Sequence, residues 1–296
     1  MPARAANQLL ITGASGQLAQ RVAELLLETV PAERLTLVSR NPGALATFEQ
    51  RGVTVRRGDF AEPESLADAF AGADRMLLVS ATDLERRTQQ HGAAIDAAAA
   101  AGVRHIVYTS GLAPAAPNPA AVAESHAATE EKLANVGISW TILRNSLYAE
   151  FQPVEAERAI ESGKLVHNRG NGKVAYVSRD DCAAAAAAVL VSEGHDRAIY
   201  DITGPARYGA KDLARLYSEI GGKPVEAVAL DDAAFIGLLV GDAAADDHLK
   251  YGAELVASFG KSIREGYMAS CANAVAELTG RPARPLAEVL RAALVT

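Results

Sequence analysis

The run Leu9-Leu10-Ile11-Thr12-Gly13-Ala14-Ser15-Gly16-Gln17-Leu18-Ala19 decides how the rest of the chain is read. A short apolar strand pattern breaks at Gly13, and helical spacing begins after Gly16. Gly13 permits a tight turn, Gly16 lets a ligand approach the backbone, and small Ala19 lets the helix lie close to the strand. A helix starting there offers unpaired N–H groups and the positive end of its dipole to an anion. Strand, glycine loop and helix in this order predict a dinucleotide pyrophosphate lying over Gly13, Ser15, Gly16, Gln17 and Leu18.

Working outward, the same alternation repeats. Strands are expected at residues 8–12, 35–39, 53–56, 75–79, 105–109 and 139–143, with helical patterns between them. Asn41-Pro42 and Glu62-Pro63-Glu64 open two of these helices, and a long Ala-rich one runs to Ala101. Residues 113–119 read as a Pro- and Ala-rich loop, followed by a helix near 121–135. Such βαβ units build a parallel sheet, so the expected fold is α/β: a Rossmann-type doubly wound parallel sheet. After Asn145 the pattern changes. Residues 163–172 read as turns, 174–177 as a short strand, 179–191 as a helix holding six consecutive alanines, and 199–202 as another strand. From Ala210 on, helices dominate, with one strand near 225–229. The expected organisation is a core over 1–150 and a smaller, mostly helical substrate lobe over 151–296 that returns strands and helices to the core.

The end of the second strand selects the cofactor. NADH-preferring proteins place an acidic residue there for the ribose hydroxyls. This chain has Ser39-Arg40-Asn41, and an arginine there suits a 2′-phosphate, so NADPH is expected. Asp59-Phe60 follows the third strand; Asp59 can accept from the adenine amino group or cap the next helix. Val79-Ser80-Ala81-Thr82 and Tyr108-Thr109-Ser110-Gly111 end the fourth and fifth strands. Ligands of open parallel sheets sit at the carboxyl ends of strands, so Ser80, Ala81, Thr82 and Ser110 should line the cleft.

Bulk properties narrow the partners. Of 296 residues, 29 are Lys or Arg and 36 Asp or Glu, a net charge of −7, and no basic run argues for nucleic acid. The two cysteines, Cys182 and Cys271, lie far apart, which suits a reducing cytoplasm. Residues 1–7 are too short for a signal peptide, and the most apolar stretch, 183–191, falls well below the roughly 20 residues that cross a bilayer. His91, His105, His167, His195 and His248 have no metal-ligand spacing, so no metal is expected. The expected partner is a small-molecule substrate, and the expected assembly, if any, a homodimer.

Ile11-Thr12-Gly13-Ala14-Ser15-Gly16-Gln17-Leu18, Val38-Ser39-Arg40-Asn41-Pro42, Tyr108-Thr109-Ser110 and Leu143-Arg144-Asn145-x-x-Tyr148 together resemble the NmrA-like branch of the atypical short-chain dehydrogenases/reductases. Ser125-His126-x-x-Thr129-Glu130-x-x-Leu133 and Arg179-Asp180-Asp181 are similar to its quinone- and triphenylmethane-reducing members. The resemblance covers nearly the whole chain and is weakest in the C-terminal region. It implies NADPH-dependent reduction of a quinone, dye or related conjugated carbonyl, with Asn145 and Tyr148 beside the nicotinamide.

None of the eight tyrosines has a lysine four residues on, so the Tyr–Lys acid of the wider superfamily is absent. The expected proton or hydrogen-bond donors are Ser110, His126, Asn145 and Tyr148, with His126 and Glu130 sharing a helix face. A quinone needs little acid help because its oxyanion is delocalised, whereas a simple ketone needs a donor. Residues 235–267, with Phe235, Tyr251, Phe259 and Tyr267, read as a helical lid that could stack on a flat acceptor. Two other readings stay open: an NADP(H)-binding sensor without turnover, and a stereoselective ketone or imine reductase on the same site.

Overall fold

The computed structural model describes residues 7–241 and 246–294; residues 1–6, where no signal peptide is expected, and 242–245 of the expected lid lie outside it. Its central feature is a seven-stranded parallel sheet ordered β3-β2-β1-β4-β5-β6-β8. The strands are β1 (Leu9–Ile11), β2 (Leu35–Ser39), β3 (Thr54–Arg57), β4 (Arg75–Leu78), β5 (His105–Gly111), β6 (Ser139–Asn145) and β8 (Ala198–Ile202). A second, two-stranded parallel sheet pairs β7 (Lys164–His167) with β9 (Glu226–Ala229). The chain winds outward from β1 to β3, then crosses back to β4 on the other side of β1. That reversal opens a crevice at the carboxyl ends of β1 and β4.

Alternation along the strands explains why both faces are covered. Leu9, Ile11, Leu35, Leu37, Leu77, Val107 and Leu143 point to one face and join a fully buried core. Leu10, Val38, Met76, Leu78, Ile106, Tyr108 and Ile142 point to the other. A strand that is apolar on both sides must be buried on both sides. On the first face lie α1 (Gln17–Leu27), α2 (Ala46–Glu49), α7 (Arg179–Val191) and α11 (Ala274–Thr279). On the second lie α3 (Leu66–Phe70), α4 (Arg87–Ala100) and α5 (Ala123–Asn135). The alanines of α7 let it pack closely beside α1, and Arg21 bridges to Asp180 at 2.9 Å across the pair. Thus α7 and β8, both from beyond residue 150, complete the first sheet.

A third core gathers α6 (Gln152–Ser162), α8 (Ala210–Gly221), α12 (Leu286–Leu294) and the second sheet around Leu165, Tyr176, Leu213 and Tyr217. Against it stands α10 (Asp247–Arg264), with α9 (Asp232–Val240) packed on α10.

Two expectations are corrected. Residues 163–172 are not all turns, because four of them form β7, paired with β9 some distance along the chain. Residues 174–177 form no strand; they are an extended segment tied only by single bridges, Val174 to Tyr208 and Val177 to Tyr148. Helix α6 also went unread in the sequence.

Candidate active site

The glycine loop leaves β1 with Gly13 at φ +59°, a left-handed turn that favours glycine. The Ala14 amide donates to Val38 O at 3.0 Å and the Gly16 amide to Gly13 O at 2.9 Å, which sets the loop between β1 and β2. A Cβ on Gly16 would stand 3.2 Å from Gly13 O, a contact tight enough to press on the loop. No side chain caps α1, and Ser15, Gly16 and Gln17 are exposed. The loop therefore fits a dinucleotide pyrophosphate, with free amides at a helix N-terminus. Leu18 is buried in the first core, so only its backbone can serve.

Around this loop the other cofactor candidates fall on the same edge of the sheet. Ser39 donates to Ser15 Oγ at 3.2 Å and accepts from the Asn41 amide at 3.1 Å. Arg40 is exposed and makes no hydrogen bond or ion pair among the described residues. Asp59 accepts from the Ala61 amide at 2.9 Å, so it stabilises its own turn rather than capping a helix. Phe60 is half-buried against the second core.

A cleft of about 180 Å³ opens beyond the ends of β4, β5 and β6. Ser80, Ser110 and Asn145 come from those strand ends, His126 from α5, and Tyr148 from the turn after β6. The four expected donors are thus brought together. The backbone of Ala81 joins the site through α4: its amide donates to His91 Nε2 at 2.9 Å, and its carbonyl accepts from Arg87 Nε at 2.7 Å. Thr82 is exposed at the rim of this loop.

His126 and Glu130, which share a face of α5, take different partners. Glu130 does not face His126; it accepts from Arg144 at 3.0 and 2.6 Å and from Ser110 Oγ at 2.7 Å. His126 turns instead to Tyr108, Nδ1 to the phenol oxygen at 2.7 Å. Burial, then the Arg87 charge, hold His126 down at about 3, and His91 likewise, so both are neutral imidazoles near pH 7. Burial also pushes the phenols of Tyr108 and Tyr148 upward. Asn145 Nδ2 donates to Tyr148 OH at 3.4 Å, a long contact, while Asn145 Oδ1 is buried without a hydrogen-bond partner among the described residues. The Tyr148 ring lies under the Arg179 guanidinium at 5.1 Å.

Of the four aromatics in the expected lid, only Phe259 lines the cleft, with Met268 beside it. Phe235 is buried, and Tyr251 is exposed outside the cleft lining, though close enough to act on the Arg87 charge. Arg87 was missed: it is buried and lines the cleft, yet has no carboxylate partner among the described residues. Its only signal in the sequence was an arginine opening the Ala-rich helix that follows the end of the fourth strand. Among the described residues no group of three or more His, Cys, Asp or Glu side chains could hold a metal, and no helix is long and apolar enough to cross a membrane.

A family model described as NAD(P)H-binding matches residues 13–193, spanning the glycine loop, the cleft strands and α7. The chain belongs to this NAD(P)H-binding family. Quinone oxidoreductase 2 of Escherichia coli (strain K12) is 35% identical to this NAD(P)H-binding protein over 280 residues, covering 95% of this chain and 96% of that one. The NADPH-dependent quinone oxidoreductase of E. coli, solved with NADPH, superposes at TM-score 0.91 with 34% identity, covering 97% of this chain and all of that one. Triphenylmethane reductase of Citrobacter sp., solved with NADP(H), superposes at 0.88, also with 34% identity and 97% of this chain covered. An NmrA-like family oxidoreductase of Aspergillus flavus is 30% identical over 73% of this chain and 72% of its own. The NmrA-like resemblance read from the motifs is borne out.

Proposed function

We propose that this protein is an NADPH-dependent reductase that passes hydride to a quinone, dye or related conjugated carbonyl. The cofactor, when bound, supplies the hydride from C4 of its nicotinamide. The glycine loop and the α1 N-terminus hold the pyrophosphate, and Arg40 and Asn41 the 2′-phosphate. The cleft beside β4–β6 orients the acceptor and excludes water.

One observation carries this reading. The cleft offers neutral hydrogen-bond donors beside the Arg87 guanidinium, yet, among the described residues, no group poised to give up a proton near pH 7: His126 is held at about 3 and the Tyr148 phenol is pushed up. Such a site can stabilise a delocalised oxyanion but is poorly equipped for the strongly basic alkoxide of a simple ketone. The named substrates of the E. coli and Citrobacter relatives, quinones and triphenylmethane dyes, are acceptors of that kind.

The test is steady-state loss of reduced-nicotinamide absorbance with quinones, dyes and unconjugated ketones side by side. Turnover of quinones or dyes well above ketones is expected. Tight NADPH binding without turnover of any acceptor would overturn the reading in favour of a sensor. We place the protein in the cytoplasm, on the strength of its two free cysteines, and as a homodimer, which gel filtration with light scattering checks.

A further inference from the structure

Three side chains from three different elements, His91, Tyr108 and His126, form a chain of hydrogen bonds beneath the cleft. It begins at a group whose role admits no choice. The Ala81 amide can only donate, and it donates to His91 Nε2 at 2.9 Å. A neutral His91 must then carry its hydrogen on Nδ1. That nitrogen lies 2.9 Å from Thr129 Oγ1 and 3.4 Å from the Tyr108 phenol oxygen. Thr129 gives its own hydrogen to Ser125 O at 2.7 Å, so it accepts from His91.

The Tyr108 phenol, 3.4 Å from that nitrogen and beside Thr129, is at most a secondary acceptor of the same N–H; because a protonated Nδ1 cannot accept, the phenol must place its own hydrogen elsewhere. Its shortest contact is His126 Nδ1, at 2.7 Å. A phenol donating to an imidazole nitrogen is the stronger arrangement of that pair. With Nδ1 accepting, neutral His126 carries its hydrogen on Nε2. The Cδ2–Nε2 edge of the ring is the part nearest Gly111, and both residues line the cleft. Nε2 has no hydrogen-bond partner among the described residues.

We infer that the Ala81 amide, acting through His91 and Tyr108, locks His126 in its Nε2–H tautomer and so presents a neutral donor to the oxyanion that develops on a conjugated acceptor. His126 is the residue that touches the acceptor; His91 and Tyr108 are positioning residues. The chain is closed at its far end. If His126 released its Nε2 hydrogen, the replacement would have to come through Tyr108 and His91, and the Ala81 amide has none to give. His126 thus donates a hydrogen bond and keeps its hydrogen. The proton that completes the reduced acceptor comes from water after the hydride has moved.

The role toward an acceptor rests on the reductase reading, whereas the tautomer does not, so the two are tested apart. Side-chain ¹⁵N NMR of histidine-labelled, acceptor-free protein reads each tautomer directly. Expected are an Nε2–H His126 and an Nδ1–H His91. A His126 protonated on Nδ1 overturns the inference whatever the enzyme reduces. Tyr108→Phe removes the donor to Nδ1 while keeping the ring. It should shift the His126 signals toward a tautomer mixture. It should also lower kcat with a quinone by several-fold, less than His126→Ala does, with KM for NADPH little changed. Unshifted His126 signals in folded Tyr108→Phe would equally overturn it. If that variant fails to fold, the wild-type spectrum still decides.

Discussion

Ser110 Oγ lies 2.7 Å from Glu130 Oε1, and Glu130 is held in turn by the two-pronged Arg144 guanidinium. A hydroxyl at the end of β5 that looked in the sequence like a donor to substrate has its one hydrogen committed to a carboxylate. The triad ties β5, β6 and α5 together at the floor of the cleft. Ser110→Ala should therefore change quinone turnover by less than about ten-fold, below the range for a lost general acid. Glu130→Ala leaves Arg144 three-quarters buried and unpaired. Allowing for that residual exposure, it should cost about 1–3 kcal/mol, a Tm several degrees lower by calorimetry. A Glu130→Ala protein as stable as the parent would show the triad to be incidental.

Arg40 stands free at the end of β2, with Asn41 beside it and no acidic residue in the ribose position. A charge-assisted contact to a phosphate contributes about 1.5–3 kcal/mol. Arg40→Ala should weaken NADPH binding about ten-fold or more and leave NADH nearly unchanged, as titration of fluorescence quenching would measure. Equal losses for the two cofactors would remove Arg40 from the 2′-phosphate site.

The loop itself is tested at Gly16. A branched side chain there must push against Gly13 O, already 3.2 Å from where a Cβ would stand, and fill the space over the α1 N-terminus. Gly16 is outside the left-handed region, so the substitution strains the cradle more than the backbone. Gly16→Val should abolish NADPH binding in a protein whose circular dichroism is unchanged. Normal NADPH affinity in that variant would place the cofactor elsewhere.

Acid should destabilise the protein through the buried imidazoles. His91 and His126 are held at about 3, against 6.5 for an ordinary histidine, by burial first and the Arg87 charge second. The unfolded chain takes up protons on both from about pH 6.5 downward, whereas the folded chain resists until about pH 3. Their contribution to stability is full above about pH 6.5 and is lost as pH falls through that window. Tm should decline from pH 6.5 to 4, and His126→Asn should make the decline shallower. A slope identical in parent and variant would mean that His126 titrates freely in the folded state.

How much of this could be read from the chain follows from what each feature depends on. The glycine loop, β2 and α7 are encoded locally, by residues within a dozen positions of one another, and they stand where expected. β7 did not show itself because Gly163 and Asn168-Arg169-Gly170 surround only four strand residues, whose partner β9 lies in a distant part of the sequence. α6 opens on Gln152-Pro153 and mixes acids through its apolar positions, which blurs its period. Within the site, Ser110, His126, Asn145 and Tyr148 were legible as residues but not as contacts. Glu130 had a choice between His126, one turn away, and Arg144 on β6, and only the β5–β6 pairing brings Arg144 to it. Tyr108 read as part of a strand end beside the cleft and His91 as a helix residue without ligand spacing, because nothing local reveals that α4, α5 and β5 converge.

The identity of the acceptor decides how much each donor matters. Tyr148 accepts from Asn145 Nδ2, so its own hydrogen remains available at the cleft, and His126 faces the same space. With a quinone, hydride transfer leaves a delocalised and weakly basic oxyanion, which hydrogen bonds stabilise without a proton having to move. His126→Ala and Tyr148→Phe should then each lower kcat with a quinone by less than the roughly 10²–10⁴-fold that marks a general acid. With an isolated ketone the alkoxide must be protonated as it forms, and neither residue is suited to supply that proton near pH 7: one imidazole is neutral, the other group a buried phenol. Parent turnover of the ketone should therefore already be poor, and loss of the better placed donor should reduce it further, into that larger range. Running both variants against one quinone and one ketone separates the cases. Collapse of quinone turnover in either variant would show that positioning and delocalisation are insufficient and that this protein uses a true acid after all.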